Sequence, residues 1–329
     1  MSKPVLRVKD LDVRYYTDAG IVPAADKVTF ELKPGERLGV VGESGSGKST
    51  TALGILRMIK PPGRISGGEV WLDDIDLVKL SEEEMRQMRG NQISMVPQGA
   101  MNSLNPVMRI EDQIMDSMVD HDLGVSRAVM KEMAVEALRA VDLDPKVGKS
   151  FPHELSGGMK QRACIAISIA MNPKVIIADE PTSALDVVTQ RQVMQTIRKI
   201  QDQIGSAVIL IGHDMGLMAQ FVDRIAVMYA GRLMELGTVQ DIFTDAMHPY
   251  TQALISSLPG LENRGVFHSL SGITPSLLEL PSGCVFHTRC PQVMDICSQR
   301  IPPLREYKRE RPVACLLYEE EIQKEKSII

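Results

Sequence analysis

Apolar and polar residues alternate over Leu6-Arg7-Val8, Leu11 to Tyr16 and Val28 to Leu32. Period-two alternation predicts strands with one face against a core. Lys33-Pro34-Gly35-Glu36 reads as a turn, and Leu38-Gly39-Val40-Val41 after it is a short buried strand. From Thr51 to Ile59 the apolar spacing becomes helical, and Pro61-Pro62-Gly63 stops that helix. Gly67 to Leu72 starts another strand, Ser81 with Glu84 predicts a capping box for a helix through Arg89, and Ile93 to Val96 is again a short buried strand. From residue 99 to about 172 strand signals vanish and helical patterns cover Ile110 to Met118, Ser126 to Val141 and Gly158 to Met171, so this stretch reads as an α-helical insertion. Val175 to Ala178, Val208 to Ile211 and Ile225 to Met228 are continuously aliphatic with helices between, the pattern of parallel strands covered on both faces. Gly231 to Gly237 predicts a closing hairpin segment. A boundary is placed near residue 240, and beyond it Pro259, Pro275, Pro281, Pro291, Pro302, Pro303 and Pro312 punctuate a loop-rich tail with no evident core of its own.

The connection between the fourth strand and the first helix is Gly42-Glu43-Ser44-Gly45-Ser46-Gly47-Lys48-Ser49-Thr50, which fits G-x-x-x-x-G-K-[ST] in the strand–loop–helix context that a working phosphate loop needs. Gly42, Gly45 and Gly47 let successive N–H groups point into one concavity, and the helix that follows aims its positive end there. Lys48 would reach the β- and γ-phosphates and the Ser49 hydroxyl would ligate Mg²⁺, so the segment implies a nucleoside-triphosphate site. The run Val175 to Ala178 ends in Asp179-Glu180. A carboxylate at a strand end can hold Mg²⁺ through water, and its neighbour can orient or deprotonate a water attacking the γ-phosphate. Leu155-Ser156-Gly157-Gly158-Met159-Lys160-Gln161-Arg162 sets a serine hydroxyl and two glycine N–H groups at a helix start, a second anion site. One nucleotide needs one cradle, so the second suggests a γ-phosphate shared between subunits.

Composition narrows the class. The 329 residues are 44% hydrophobic and 24% charged, ordinary for a soluble protein of about two domains, and at 4% aromatic the core must be mainly aliphatic. A net charge of −5 argues against nucleic acid as a partner. No run approaches the roughly 20 apolar residues of a membrane span, and the N-terminus has no apolar stretch of the signal-peptide kind, which leads to the expectation of a cytosolic chain.

Together these segments resemble the nucleotide-binding subunits of ATP-binding cassette (ABC) transporters. Leu155 to Arg162 is similar to that family's signature motif, with Met159 where the family usually has glutamine. The resemblance implies an α/β phosphate-loop NTPase fold: a mixed sheet core, an antiparallel β subdomain and an α-helical subdomain over about 99–172, all within residues 1–240. It also implies roles residue by residue. Gln98 resembles the Q-loop glutamine, a Mg²⁺ ligand with Ser49 and Asp179 and a link to the membrane subunits. Ser183 to Asp186 resembles the D-loop that touches a partner subunit, and His213 the switch histidine that acts with Lys48 and Glu180 on the γ-phosphate. Tyr16 or Tyr15 would stack on adenine, a cross-strand packing role being the alternative for each. ATP and Mg²⁺ are the implied cofactors, bound by Gly42, Ser44, Gly45, Ser46, Gly47, Lys48, Ser49 and Thr50 of one subunit and Ser156, Gly157 and Gly158 of another.

The tail points to a branch of the family. His248 to Leu254 resembles a segment of oligopeptide and dipeptide importers, and residues 241–329 are expected to form their C-terminal extension. Four of the five cysteines, Cys284, Cys290, Cys297 and Cys315, fall in the last 46 residues as C-x₅-C-x₆-C-x₁₇-C. Clustered thiols in a cytosolic chain point to metal or redox chemistry. Tight C-x₂₋₄-C pairs typical of structural zinc are absent, and the resemblance implies a 4Fe–4S cluster, with zinc or bare thiols as alternatives. The implied partners are a second ABC ATPase subunit, identical or homologous, two integral-membrane permease subunits and an extracytoplasmic solute-binding protein, which would place the chain on the cytoplasmic face of the cell membrane. Nickel, glutathione or oligosaccharide uptake, a soluble ABC ATPase and a phosphotransferase are the competing functions.

Overall fold

The computed structural model describes residues 3–99, 103–258, 272–308 and 310–319; Pro259 lies outside them. In chain order the regular elements are β1 (Leu6–Thr17), β2 (Gly20–Leu32), β3 (Arg37–Val41), α1 (Lys48–Ile55), β4 (Gly63–Leu72), β5 (Ile75–Asp76), α2 (Glu82–Met88) and β6 (Ile93–Val96). Then come α3 (Ile110–Asp120), α4 (Arg127–Ala140), α5 (Gly157–Ile169), β7 (Val175–Asp179), α6 (Val187–Ile204), β8 (Ala207–Gly212) and α7 (Met215–Ala219). The chain ends with β9 (Arg224–Tyr229), β10 (Arg232–Thr238), α8 (Val239–Thr244), α9 (Pro249–Ser256), β11 (Arg305–Lys308) and β12 (Arg311–Val313). Contacts divide the chain into two compact units, passing between them within β1, β2, β3 and β4 and again after β8.

One unit takes residues up to Arg7, Glu31–Arg37 and Val70–Gly212. Its strands β6, β7 and β8 pair in parallel, Ile93 opposite Val175 and Val175 opposite Ala207. All of β7 and β8 is buried, which is why these runs carry no polar alternation. The register brings the C-terminal ends of β6 and β7 to one edge, so Gln98 and the Asp179-Glu180 pair emerge side by side. Helices α3, α4 and α5 pack on one another. Their buried faces recur at helical spacing: Ile110, Ile114 and Met118 in α3, then Ala134, Ala137 and Leu138 in α4. Cys164 of α5 is buried with its thiol pushed up to about 11 by desolvation, a core residue as its isolation among apolar neighbours suggests.

The other unit takes Val8–Phe30, Leu38–Glu69 and the described residues from His213 onward. Here β3 runs parallel to β9, with Leu38 opposite Arg224 and Val41 opposite Val227, and β10 returns antiparallel to β9. The hairpin expected from Gly231 onward is thus present. Two departures from the sequence reading stand out. Helix α1 ends at Ile55 rather than Ile59, because Leu56 already caps it and Arg57 takes a left-handed φ of 51°. The tail also adds strands: β12 pairs with β10 through Val313 opposite Glu235, and β11 pairs with β12. Far from lacking a core, the tail buries Val285, Phe286, Val313 and Leu316, with Met247, Val313 and Cys315 forming a cluster against Tyr307, Leu317 and Tyr318.

Candidate functional site

The phosphate loop is held in the conformation its glycines permit. Gly42 and Gly47 have φ of 152° and 98°, and a Cβ on either would sit 2.1 Å from Met228 O or 2.2 Å from Ala24 O. Only glycine satisfies both the backbone angle and the close approach. Gly47, in the left-handed region, is the N-cap of α1 and offers no side-chain acceptor to its first turn. Lys48, 6% exposed, curls back and donates to Gly42 O at 2.8 Å and Glu43 O at 2.9 Å. Ser46 is fully buried, with its carbonyl accepting from the Gly231 N–H at 3.0 Å, whereas Ser44 and Gly45 are exposed and Ser49 and Thr50 half-buried.

Glu43, the variable second residue of the loop, has partners that sequence reasoning missed. Arg289 donates to both its carboxylate oxygens, at 2.8 and 3.0 Å, Thr274 Oγ1 donates to one of them, and the Glu43 N–H donates to Tyr250 Oη at 3.0 Å. Burial pushes this carboxyl up, but the Arg289 and Thr274 hydrogen bonds outweigh it and hold the pKa below the usual carboxylate range. Glu235, also unsuspected, is fully buried and accepts from the Met247 and His248 N–H groups at 2.8 and 2.9 Å. His248 is driven down to about 3 by desolvation and so is neutral, its Nδ1 accepting from the Tyr250 N–H at 3.0 Å. The only sequence signal for either glutamate was its place in an otherwise apolar or glycine-rich run.

In the first unit, Asp179 ends β7 almost wholly buried. Glu180 takes a left-handed φ of 45°, its N–H donates to Ile211 O at 2.9 Å, and Gln98 Nε2 donates to its Oε2 at 2.9 Å. Two residues predicted from separate segments are therefore in direct contact. Ser156 is the exposed N-cap of α5, its Oγ accepting from the Met159 N–H at 3.4 Å, with Gly157 and Gly158 opening the helix. A Cβ on Gly158 would lie 2.7 Å from Thr189 Cγ2, so the second glycine is required by packing as well. Asp186 caps α6 through the Val188 and Thr189 N–H groups, and Val187 and Val188 just after it are 80% and 68% exposed. His213 follows directly on β8 and is exposed.

The two tyrosines part company. Tyr15 packs where a Cβ on Gly63 would come within 2.6 Å of its ring, whereas Tyr16 bonds Ser66 Oγ at 3.2 Å and carries the Arg64 guanidinium 4.0 Å above its ring. The Ser66 and Arg64 hydrogen bonds lower the Tyr16 phenol.

The four tail cysteines form no disulfide and line one small cavity together with His248, Phe286 and His287. Desolvation pushes Cys284 up to about 11 and Cys315 up to about 12, and the other tail thiols add to both shifts, as expected of neighbours. Among the described residues no group of three or more His, Cys, Asp or Glu side chains is placed to hold a metal ion. Among the same residues no helix is long and apolar enough to cross a membrane.

A glycine-cradled phosphate loop, a strand-end carboxylate pair and a serine-glycine helix start define a nucleotide-hydrolysing cassette, and the comparisons agree. The family described as ABC transporter matches residues 25–183, and that described as oligopeptide/dipeptide transporter, C-terminal region, matches residues 234–297. The chain belongs to the ABC transporter family and is an ABC ATPase with the corresponding cassette fold. It is 42% identical to the oligopeptide transport ATP-binding protein OppD of Salmonella typhimurium, over 97% of this chain and 95% of that protein. It is 41% identical to the dipeptide transport ATP-binding protein DppD of Haemophilus influenzae, over 94% of each. Among solved structures, the dimeric ATP-binding cassette MJ0796 in a post-hydrolysis state with ADP and phosphate superposes with a TM-score of 0.64 at 30% identity, covering 71% of this chain and 98% of that one.

Proposed function

We propose that this chain is the ATP-hydrolysing subunit of a membrane importer for di- and oligopeptides. The observation that carries the nucleotide reading is the phosphate loop, in which Gly42 and Gly47 admit no side chain and Lys48 at the start of α1 curls back over the loop. In this reading Lys48 and the loop N–H groups hold the β- and γ-phosphates, Ser49, Gln98 and Asp179 serve Mg²⁺, and Tyr16 stacks on adenine. Mg²⁺ supplies charge neutralisation on the phosphates. Glu180 orients the attacking water and takes its proton, and His213 contacts the γ-phosphate. The Gln98–Glu180 hydrogen bond supports this, since it ties the sensing glutamine to the base at one sheet edge.

Ser156, Gly157 and Gly158 complete the γ-phosphate site of a second ATPase subunit, bound head to tail. The dimeric state of MJ0796 and the exposed Val187 and Val188 beside the D-loop favour such a contact. Residues 1–240 form the ATPase with its helical part at about 99–172, and residues 241–329 the extension. Two permease subunits and an extracytoplasmic solute-binding protein complete the importer, with this chain on the cytoplasmic face of the membrane. Peptide as cargo rests on the relatives' names and the matched C-terminal region. Cys284, Cys290, Cys297 and Cys315 are the residues that would hold a 4Fe–4S cluster, with zinc as the alternative; the small cavity that all four thiols line together favours a shared group there. Anaerobically purified protein is then expected to be coloured, with a broad visible charge-transfer absorbance, and a colourless preparation contradicts the cluster.

The function is tested in the reconstituted importer. Glu180→Gln is expected to abolish ATP-driven uptake of labelled di- and tripeptides. Uptake of nickel or glutathione but not peptides by the parent complex would replace the cargo, and no uptake of any solute would overturn the transport reading.

A further inference from the structure

The loop corner at Glu43 is fastened to a part of the chain 246 positions away. The guanidinium of Arg289, with its side chain 5% exposed, makes a bidentate pair with the Glu43 carboxylate and also donates to Tyr229 Oη at 3.2 Å. Its own backbone is set by the tight turn after Phe286, whose carbonyl accepts the Arg289 N–H at 3.0 Å, between Cys284 and Cys290. Beneath it Tyr229, Tyr250 and Phe286 form a buried aromatic cluster with ring centroids 4.7 to 5.3 Å apart. Tyr250 holds the Glu43 N–H, while the Glu43 carbonyl accepts from Lys48 Nζ at 2.9 Å. One residue of the phosphate loop is thus gripped by the tail through its side chain and its N–H, and touches the phosphate-binding lysine through its carbonyl.

We propose that Arg289 is a positioning residue for the ATP reaction: by clamping Glu43 it fixes the phosphate loop, and through Glu43 O the resting place of Lys48, so that the cysteine-bearing tail sets nucleotide affinity. The proposal rests on the assignment of residues 42–50 as the ATP site. A bidentate arginine–carboxylate pair fixes orientation as well as distance, and removing one partner leaves the other charge half-buried without its counterion. The loop would then have to be ordered by the nucleotide itself, which lowers affinity for ATP and ADP alike and spares turnover once the site is filled.

The test uses the full chain, with KM and kcat for MgATP and Kd for MgADP measured in parallel. Arg289→Met and the near-isosteric Glu43→Gln are each expected to raise KM and the ADP Kd together, by roughly ten-fold, the equivalent of one charged hydrogen bond, with kcat within about three-fold. Arg289→Lys, which keeps the charge without the fork, is expected to fall between. A tail that only stabilises the fold would instead lower Tm and the active fraction, and so apparent kcat, with KM and the ADP Kd unmoved. Unchanged KM and Kd in whichever of Arg289→Met and Glu43→Gln folds overturns the clamp, and Glu43→Gln carries the test if Arg289→Met does not fold. Lys48→Ala separates the two layers: if it binds ATP like the parent, the site assignment fails, whatever Arg289 does.

Discussion

Glu43 shows how much one loop side chain can decide. Its pattern slot is an unconstrained x, yet its carboxylate is held below the ordinary range by Arg289 and Thr274 against the opposing effect of burial. Because the folded pKa is depressed, the stability it contributes is present above the unfolded value of about 4.3 and is lost as the pH falls through the folded one. Denaturant melts of the parent and Glu43→Gln are therefore expected to differ most in stability at pH 7, with the difference shrinking as the pH falls below about 4.3 and through the depressed folded value. A difference that does not shrink at all on acidification would remove the ion pair from the account. The pattern revealed Gly42, Gly47 and Lys48 because their chemistry follows from local backbone geometry. It was silent on Glu43 because the partner is 246 residues away. Tyr15 and Tyr16 were indistinguishable in sequence for a similar reason: the contrast between a ring packed over Gly63 and one stacked under Arg64 exists only once neighbouring segments are in place.

Among the elements, those set by local signals were legible. The Ser81–Glu84 box forms as read, with Ser81 Oγ accepting the Glu84 N–H at 3.2 Å and Glu84 Oε2 accepting the Ser81 N–H at 2.7 Å. Ser81→Ala is expected to cost about 1 kcal/mol with ATPase activity unchanged, measured by denaturant melts and steady-state turnover. The aliphatic strands β6 to β9 were likewise found within a residue or two, since burial on both faces leaves few polar positions to confuse them. The tail was misread for lack of such signals. Strand β12 is three residues long, has Pro312 at its centre, and owes its place to Val313 opposite Glu235 and to Arg311, whose guanidinium reaches Asp245 at 2.9 Å. Phe286 is 1% exposed in the aromatic cluster that seats the extension, so Phe286→Ala is expected to destabilise the protein by about 3–5 kcal/mol, read from the same melts. A loss below about 1 kcal/mol would mean the extension is anchored elsewhere.

For the whole molecule, the central claim is an engine whose fuel site is completed by a neighbour. The chain carries a phosphate-loop pattern and, on α5, an exposed serine-glycine helix start, which the proposal assigns to the nucleotide of a second subunit. The family and the cassette fold were legible from motifs whose spacing is fixed by phosphate chemistry, and the importer branch from the resemblance of the tail. The cysteine chemistry was not, because spacing alone does not say how far apart four thiols stand in space. The most direct measurement is ATP turnover by Glu180→Gln beside its MgATP affinity and its association state. The account predicts affinity within about three-fold of the parent, hydrolysis slowed at least about a hundred-fold, and subunit pairs, with itself or its sister ATPase, that persist while MgATP is present. Hydrolysis at the parental rate, or full occupancy by ATP with no pairing, would contradict it.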